Sequence, residues 1–246
     1  MLTFKSLTEQ LTSQRTDGKT LVDLSMRTDT VFCQSAVSQG YLTNGQMLRA
    51  AKRYQLGKSK DGAVVFWEID EEQRIRDGKL MWYGDDCHRL KEKDPTWVTA
   101  CLKKQGELPT MFEPQRCLFG LHLLPSALTH QPSDIKHQPS MICIVEAEKT
   151  AVICSELFPQ YLWMAPGGLS MLSAAKLYPL RDHKLVVFPD TDPDGKTYKE
   201  WKKICDTAQD SFRYPIRVSP ILEIHATPDQ KRRKIDIVDF LFASKE

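Results

Sequence analysis

Nowhere among the 246 residues does an apolar run approach the ~18 needed to span a bilayer, so no membrane-spanning helix is expected. The opening residues Met-Leu-Thr-Phe-Lys-Ser lack the charged head, apolar middle and small-residue cleavage site of a secretory signal. Together these point to a cytoplasmic protein without membrane partners. The seven cysteines (Cys33, Cys87, Cys101, Cys117, Cys143, Cys154 and Cys205) form no Cys-x-x-Cys pair, which excludes a zinc ribbon and a redox dithiol. Cys87-His88 lacks a second local pair and reads as a loop, whereas Cys143 and Cys154 lie in apolar stretches and read as small core residues. A net charge of +2 argues for no partner by itself. Internal repeats are also missing.

What is present changes character along the chain. Residues 1–40 have mixed polarity and weak periodicity, and read as an arm or short helices. Residues 43–55 predict a capped helix with Met47, Ala50, Ala51 and Tyr54 on one face. Ala63 to Ile69 and Lys79 to Tyr83 predict two strands of a hairpin, joined by a polar turn over Asp70–Arg74. A further helix is predicted over Pro95–Lys104. Residues 41–127 therefore read as a small mixed α+β lobe, and the polar, proline-containing residues 128–140 as a linker.

From 141 to 246 the pattern is strand and helix in alternation. Strands are predicted at Ile142–Val145, Tyr161–Ala165, Lys184–Phe188 and Ile216–Val218. Helices are predicted over Glu148–Leu157, about 169–177 and Thr197–Ala208. Short, nearly continuous apolar strands between helices imply an α/β domain with a parallel sheet covered on both faces. In such sheets functional groups gather beyond the C-terminal strand ends.

Two places meet that rule. Glu146 directly follows the first of these strands, and Asp190 follows the third with only Pro189 between. If the two strands are neighbours, their ends bring the carboxylates together. In Asp190-Thr191-Asp192 an extended backbone turns residues i and i+2 to one side, so both acids could share a cation. Hard carboxylate oxygens suit Mg²⁺ or Mn²⁺, which take substrate phosphates as further ligands. The bland alternative is that strand-end acids cap helix N-termini. That alternative serves well for Glu146 alone, but less well for Asp190, Asp192 and Asp194 together, which repel one another unless a cation is present.

Asp-x-Asp-x-Asp-Gly also occurs in EF-hand loops, whose twelfth residue should be Glu. Counting from Asp190 it is Trp201, Pro193 interrupts the loop and a strand precedes it, so that reading fails. A haloacid-dehalogenase phosphatase also places Asp-x-Asp after an apolar strand. It resembles this run only in part, because Asp194 stands where Thr or Val is expected.

The strand and Glu146 of Ile142–Thr150, the small-residue turn Gly167-Gly168 and the strand with Asp-x-Asp of Val186–Gly195 resemble, in order and spacing, the motifs of Toprim domains. Lys234 to Leu241 resembles the Lys-Asp-x-x-Asp-aromatic-Leu segment of primase-type Toprim proteins, making Asp236 and Asp239 possible additional acids. Upstream, Cys117 to Leu124 and the hairpin with Phe66, Trp67 and Lys79–Tyr83 resemble the catalytic core of bacterial, DnaG-type DNA primases. The Glu146–Ala151 segment resembles one in small primase-like Toprim proteins of Bacteroidetes mobile elements and phages. Departures are the lack of a zinc-module ligand set and Ala147 where the family commonly has Gly.

The resemblance implies a Toprim fold of about four parallel strands and metal-dependent nucleotidyl transfer on single-stranded DNA during replication of DNA or a mobile element. Carried over, Glu146 is the acid/base and a metal ligand, and Asp190 and Asp192 are catalytic metal ligands; Asp194 beside them is a further candidate metal ligand. Lys149, Lys79, Arg76, Lys196, Arg232 and Arg233 are candidates for nucleotide or nucleic-acid phosphates. The implied partners are single-stranded DNA, nucleotides and a helicase or other replication proteins. Two alternatives share the same residues: a Toprim nuclease, and a non-catalytic nucleic-acid-binding accessory protein.

Overall fold

A computed structural model describes residues 28–124 and 141–243. The chain divides into two compact units, Met1–Thr129 and His130–Glu246. The expected linker at 128–140 and most of the expected N-terminal arm lie outside the described residues. Among the described residues no helix is long and apolar enough to cross a membrane.

The first unit begins with helices α1 (Val31–Ser38) and α2 (Asn44–Arg53). Thr43 and Gln46 close a reciprocal capping box at the start of α2, and Met47, Ala50, Ala51 and Tyr54 are all buried, as their spacing predicts. Four strands follow, β1 (Gly57–Lys58), β2 (Val64–Ile69), β3 (Ile75–Met81) and β4 (Thr96–Trp97), with helix α3 at Val98–Lys104. They form an antiparallel sheet in the order β1-β2-β3-β4.

Strand β3 starts four residues before the expected position. Asp77 and Gly78 disfavour strand by composition, which hides it, but packing overrides propensity here. The Asp77 carboxylate is buried and accepts hydrogen bonds from the Thr99 hydroxyl (2.7 Å), the Thr99 N–H (3.1 Å) and Arg116 Nε (3.0 Å). Gly78 is required by space, because a Cβ there would lie 2.7 Å from the Trp67 ring. Trp67 belongs to a core with Val65, Ile69, Ile75, Leu80, Leu102 and Leu108 on one sheet face. On the other face Phe66 packs edge-on to Phe32 and Phe119.

In the second unit β5 (Ile142–Val145), α4 (Glu148–Leu157), β6 (Leu162–Met164), α5 (Ala174–Leu177), β7 (Leu185–Phe188), α6 (Lys196–Ala208) and β8 (Ile216–Val218) alternate. Three short helices end the unit: α7 (Ile221–His225), α8 (Pro228–Arg233) and α9 (Ile237–Phe242). The four strands form a wholly parallel sheet, β6-β5-β7-β8, flanked by helices. Strands β5 and β6 are buried throughout, β7 is buried at alternate residues and the edge strand β8 is half-exposed; Cys143 and Cys154 are core residues whose thiols burial pushes up, Cys143 to about 12. Around 169–177 a single helix is expected. Instead a 3₁₀ turn at Leu169–Met171 stops short, and Ser173 caps the separate α5 by accepting from the Lys176 N–H.

Candidate active site

Strands β5 and β7 are direct neighbours, in parallel register from Ile142–Leu185 to Val145–Phe188. Glu146 therefore leaves the sheet one residue beyond Val145, and Asp190 two beyond Phe188, at the same C-terminal edge. The segment after α8 joins them. Lys234 adopts a left-handed conformation (φ 56°, ψ 53°) that ends α8. The Thr191 N–H then donates to the Ile235 carbonyl at 3.1 Å. That bond sets the Ile235 segment alongside the extension of β7 and delivers Asp236 to the edge, with Ile235 buried behind it. Residues 234–236 thus form a turn rather than part of a final helix, and Asp236 caps α9, its Oδ1 accepting from the Asp239 N–H at 2.8 Å.

Asp190 is the electrostatic focus. Burial pushes its carboxyl well above the usual carboxylate range, and the negative charges of Glu146, Asp236 and Asp239 push it further, opposed by Lys149. No hydrogen-bond donor among the described residues offsets this. Asp236 behaves oppositely. Burial alone would raise it, but the Lys149 ammonium, the Thr150 hydroxyl and the backbone N–H groups of Asp239 and Val238 hold it below its ordinary value. Thr150 Oγ1 donates to Asp236 Oδ2 at 2.5 Å. Lys149 Nζ lies 3.6 Å from that same oxygen and 3.7 Å from Asp239 Oδ1. The lysine expected to face a phosphate is buried among acids.

Asp192 has another occupation. Its Oδ1 accepts from the N–H groups of Asp194 and Lys196, each at 3.0 Å, and its Oδ2 from the Thr197 N–H at 2.7 Å. Although burial opposes ionisation, these donors hold its carboxyl down at about 2. Asp192 is thus the carboxylate that satisfies the start of α6, where Gly195 is left-handed (φ 62°) and supplies no side-chain cap. The helix N-terminus is filled by the chain's own anion. Asp194 is exposed, and its carbonyl accepts from Lys199 Nζ at 3.1 Å.

The remaining predicted basic residues are dispersed. Lys196 is exposed and pairs with Glu200 at 3.6 Å. Arg232 and Arg233 are exposed on α8, at 3.1 and 3.9 Å from Asp229. Neighbouring Lys231 reaches Glu223 Oε2 at 3.3 Å. In the first unit Arg76 Nε donates to Asp70 Oδ2 at 2.6 Å, and Lys79 is buried in β3 opposite Phe66.

The donors at the sheet edge suit a hard divalent cation. Glu146 and Asp190 carry partly accessible carboxylates, and Asp190 sits where negative charge is in excess. Among the described residues no three His, Cys, Asp or Glu side chains close into a metal cage. Mg²⁺ asks for less, since it binds through one or two carboxylates and completes its shell with water and phosphate.

Residues 32–191 match a protein family described as a domain of unknown function, DUF6371. The chain belongs to the DUF6371 family. The matched region contains Glu146, Lys149 and Asp190 and ends before Asp192. No curated protein matches this DUF6371 chain. Among solved structures it is similar to a DnaG primase catalytic domain bound to ssDNA, at TM-score 0.54 and 14% identity over 98% of this chain and 82% of that one. The Escherichia coli primase catalytic core gives TM-score 0.50 and 13% identity over 92% and 81%. The Aquifex aeolicus primase, with zinc-binding and RNA polymerase domains, gives 0.51 and 12%, and the match spans only 55% of that chain. At such identities the likeness is one of fold. The DUF6371 chain has the fold of primase catalytic cores, a mixed α/β architecture with a helix-flanked parallel sheet of four strands.

Proposed function

We propose that the protein is a primase-like nucleotidyltransferase, joining nucleotides on a single-stranded DNA template at a Toprim-type site that uses Mg²⁺ or Mn²⁺. The observation that carries this reading is the parallel pairing of β5 with β7, which brings Glu146 and Asp190 to one sheet edge with Asp236 and Asp239 beside them. The likeness of fold to primase catalytic cores supports it.

Glu146 and Asp190 would hold the ion. When bound, it supplies Lewis-acid polarisation of a phosphate oxygen. The protein's own work is positioning and proton handling. Glu146, partly exposed at the strand end, would take the proton of an attacking hydroxyl. Asp192 fixes the loop after β7, and with it the placement of Asp190. Exposed Lys196, Arg232 and Arg233 supply positive charge on the same unit for a phosphate backbone, which implies salt-dependent binding with little regard to sequence. A role in replicating DNA or a mobile element is part of this proposal.

The test is primer synthesis from labelled NTPs or dNTPs on single-stranded DNA, with Glu146→Gln and Asp190→Asn alongside. Metal-dependent products lost in both variants are expected. Shortened template without products would make the site a nuclease, and the absence of both signals would refute catalysis.

A further inference from the structure

We propose that Arg116 of the first unit is a phosphate-binding residue, its guanidinium held on the Trp97 ring to receive a phosphate of a nucleic-acid strand or of a nucleotide. The proposal rests on the nucleotidyl-transfer reading above and names a side chain by which this unit holds the phosphate. Arg116 Cζ lies 3.7 Å from the centre of the Trp97 ring, a cation–π contact that fixes the guanidinium on one side. Its Nε donates to Asp77 Oδ2 at 3.0 Å. That carboxylate is itself fully buried and fixed, since it also accepts from the Gly78 N–H at 2.8 Å, the Thr99 N–H at 3.1 Å and the Thr99 hydroxyl at 2.7 Å. The backbone is anchored as well, because the Cys117 N–H donates to Glu68 Oε2 at 3.3 Å.

What the guanidinium keeps is its outer pair of nitrogens. Asp77 takes only Nε, its other acceptor sites being filled, and among the described residues Nη1 and Nη2 have no hydrogen-bond or ion-pair partner. An arginine that serves stability alone commonly engages a carboxylate through two parallel bonds, and this one does not. The place is open to solvent. The Arg116 side chain is 27% exposed, and Trp97 lies on β4, the last strand of its sheet, whose two residues are both half-buried. The N–H groups that remain form a planar fork that matches two oxygens of a phosphate. Ring and carboxylate hold that fork in place beforehand, so little side-chain freedom is lost on binding. Asp77 stands 39 residues upstream, so no local motif marks the arrangement.

The experiment measures binding of a labelled thymidine oligonucleotide by fluorescence anisotropy over a series of KCl concentrations, and of ATP by calorimetric titration. It compares the full-length chain as wild type, Arg116→Met and Arg116→Lys, with near-ultraviolet circular dichroism to verify folding. If the phosphate belongs to the strand, Arg116→Met should bind the oligonucleotide about tenfold more weakly. The slope of log affinity against log salt should then fall by about 0.7, the share of one phosphate on a single strand. A merely structural role would not move that slope. Arg116→Lys keeps the charge without the fork, and should retain the slope while binding more weakly than wild type. If the phosphate belongs to the nucleotide, Arg116→Met should bind ATP about tenfold more weakly while oligonucleotide binding holds. Either pattern supports the proposal. Wild-type affinity of folded Arg116→Met for both ligands, or weaker oligonucleotide binding at an unchanged slope with ATP binding intact, overturns it and leaves the nucleotidyl-transfer reading standing. If Arg116→Met does not fold, Arg116→Lys decides: weaker binding of either ligand supports, and wild-type binding of both overturns. A wild-type protein that binds neither ligand removes the underlying reading as well.

Discussion

The backbone N–H of Thr191 donates to the carbonyl of Ile235 at 3.1 Å, a contact across 44 residues of sequence that brings the last acids of the chain to the end of β7. Everything proposed for the site depends on that edge. Four predictions examine the physical basis of the fold around it and of the first unit.

Asp190 is desolvated among like charges, so Asp190→Asn should stabilise the metal-free protein at neutral pH while abolishing metal-dependent activity. The sign follows from its raised carboxyl: the folded state of wild type prefers the proton, and its stability declines as pH rises above the ordinary carboxylate value near 4. The gain from Asn should therefore shrink as pH is lowered. Urea denaturation at several pH values, with and without Mn²⁺, reads this.

Asp192→Ala removes the acceptor of three backbone N–H groups at the start of α6. The expected cost is about 1–2 kcal/mol, the range of a lost helix cap, with Asp192→Asn recovering part of it. Denaturant midpoints check it. If Asp192→Ala instead leaves metal-free stability unchanged but weakens Mn²⁺ binding, Asp192 serves as a ligand rather than a cap.

In the first unit, Gly78→Ala should cost about 1–3 kcal/mol, because the new Cβ would stand 2.7 Å from the Trp67 ring and 2.9 Å from Val98 Cγ2. Thermal unfolding should show a lower midpoint and a red-shifted tryptophan emission in the folded state as the ring moves.

His122 is fully buried, with Nε2 3.2 Å from the Arg53 carbonyl and no partner for Nδ1, and burial lowers its pKa to about 4. Above the ordinary value of about 6.5 both folded and unfolded states are neutral, and no penalty arises. Between about 6.5 and about 4 only the unfolded chain takes the proton, so stability falls as pH falls, by about 3 kcal/mol in all. His122→Gln should flatten that slope. An unchanged slope would show that other groups cause the acid sensitivity.

The positions of Glu146 and Asp190 were readable because a parallel sheet exposes functional groups where its strands end, and apolar runs mark those ends without help from the rest of the chain. The partner of Lys149 was not, since Asp236 lies 87 residues away and the chain path between them depends on the left-handed turn at Lys234. For Asp192 the bland reading of a strand-end acid describes its contacts: three N–H donors claim it, a local effect that the Asp-x-Asp spacing alone cannot separate from metal ligation. The early start of β3 was hidden for a related reason. Asp77 and Gly78 look like turn residues until the partners that tolerate them, Thr99, Arg116 and the Trp67 ring, are in place.

The most direct measurement is an anomalous difference map from crystals grown with Mn²⁺ and a nucleoside triphosphate. A Mn²⁺ peak within coordination distance of Glu146 and Asp190 at the β5–β7 edge is the expected result. A nucleotide bound with no peak there, or a peak held by Asp194 on the exposed loop instead, would contradict the assignment of this edge as the active site.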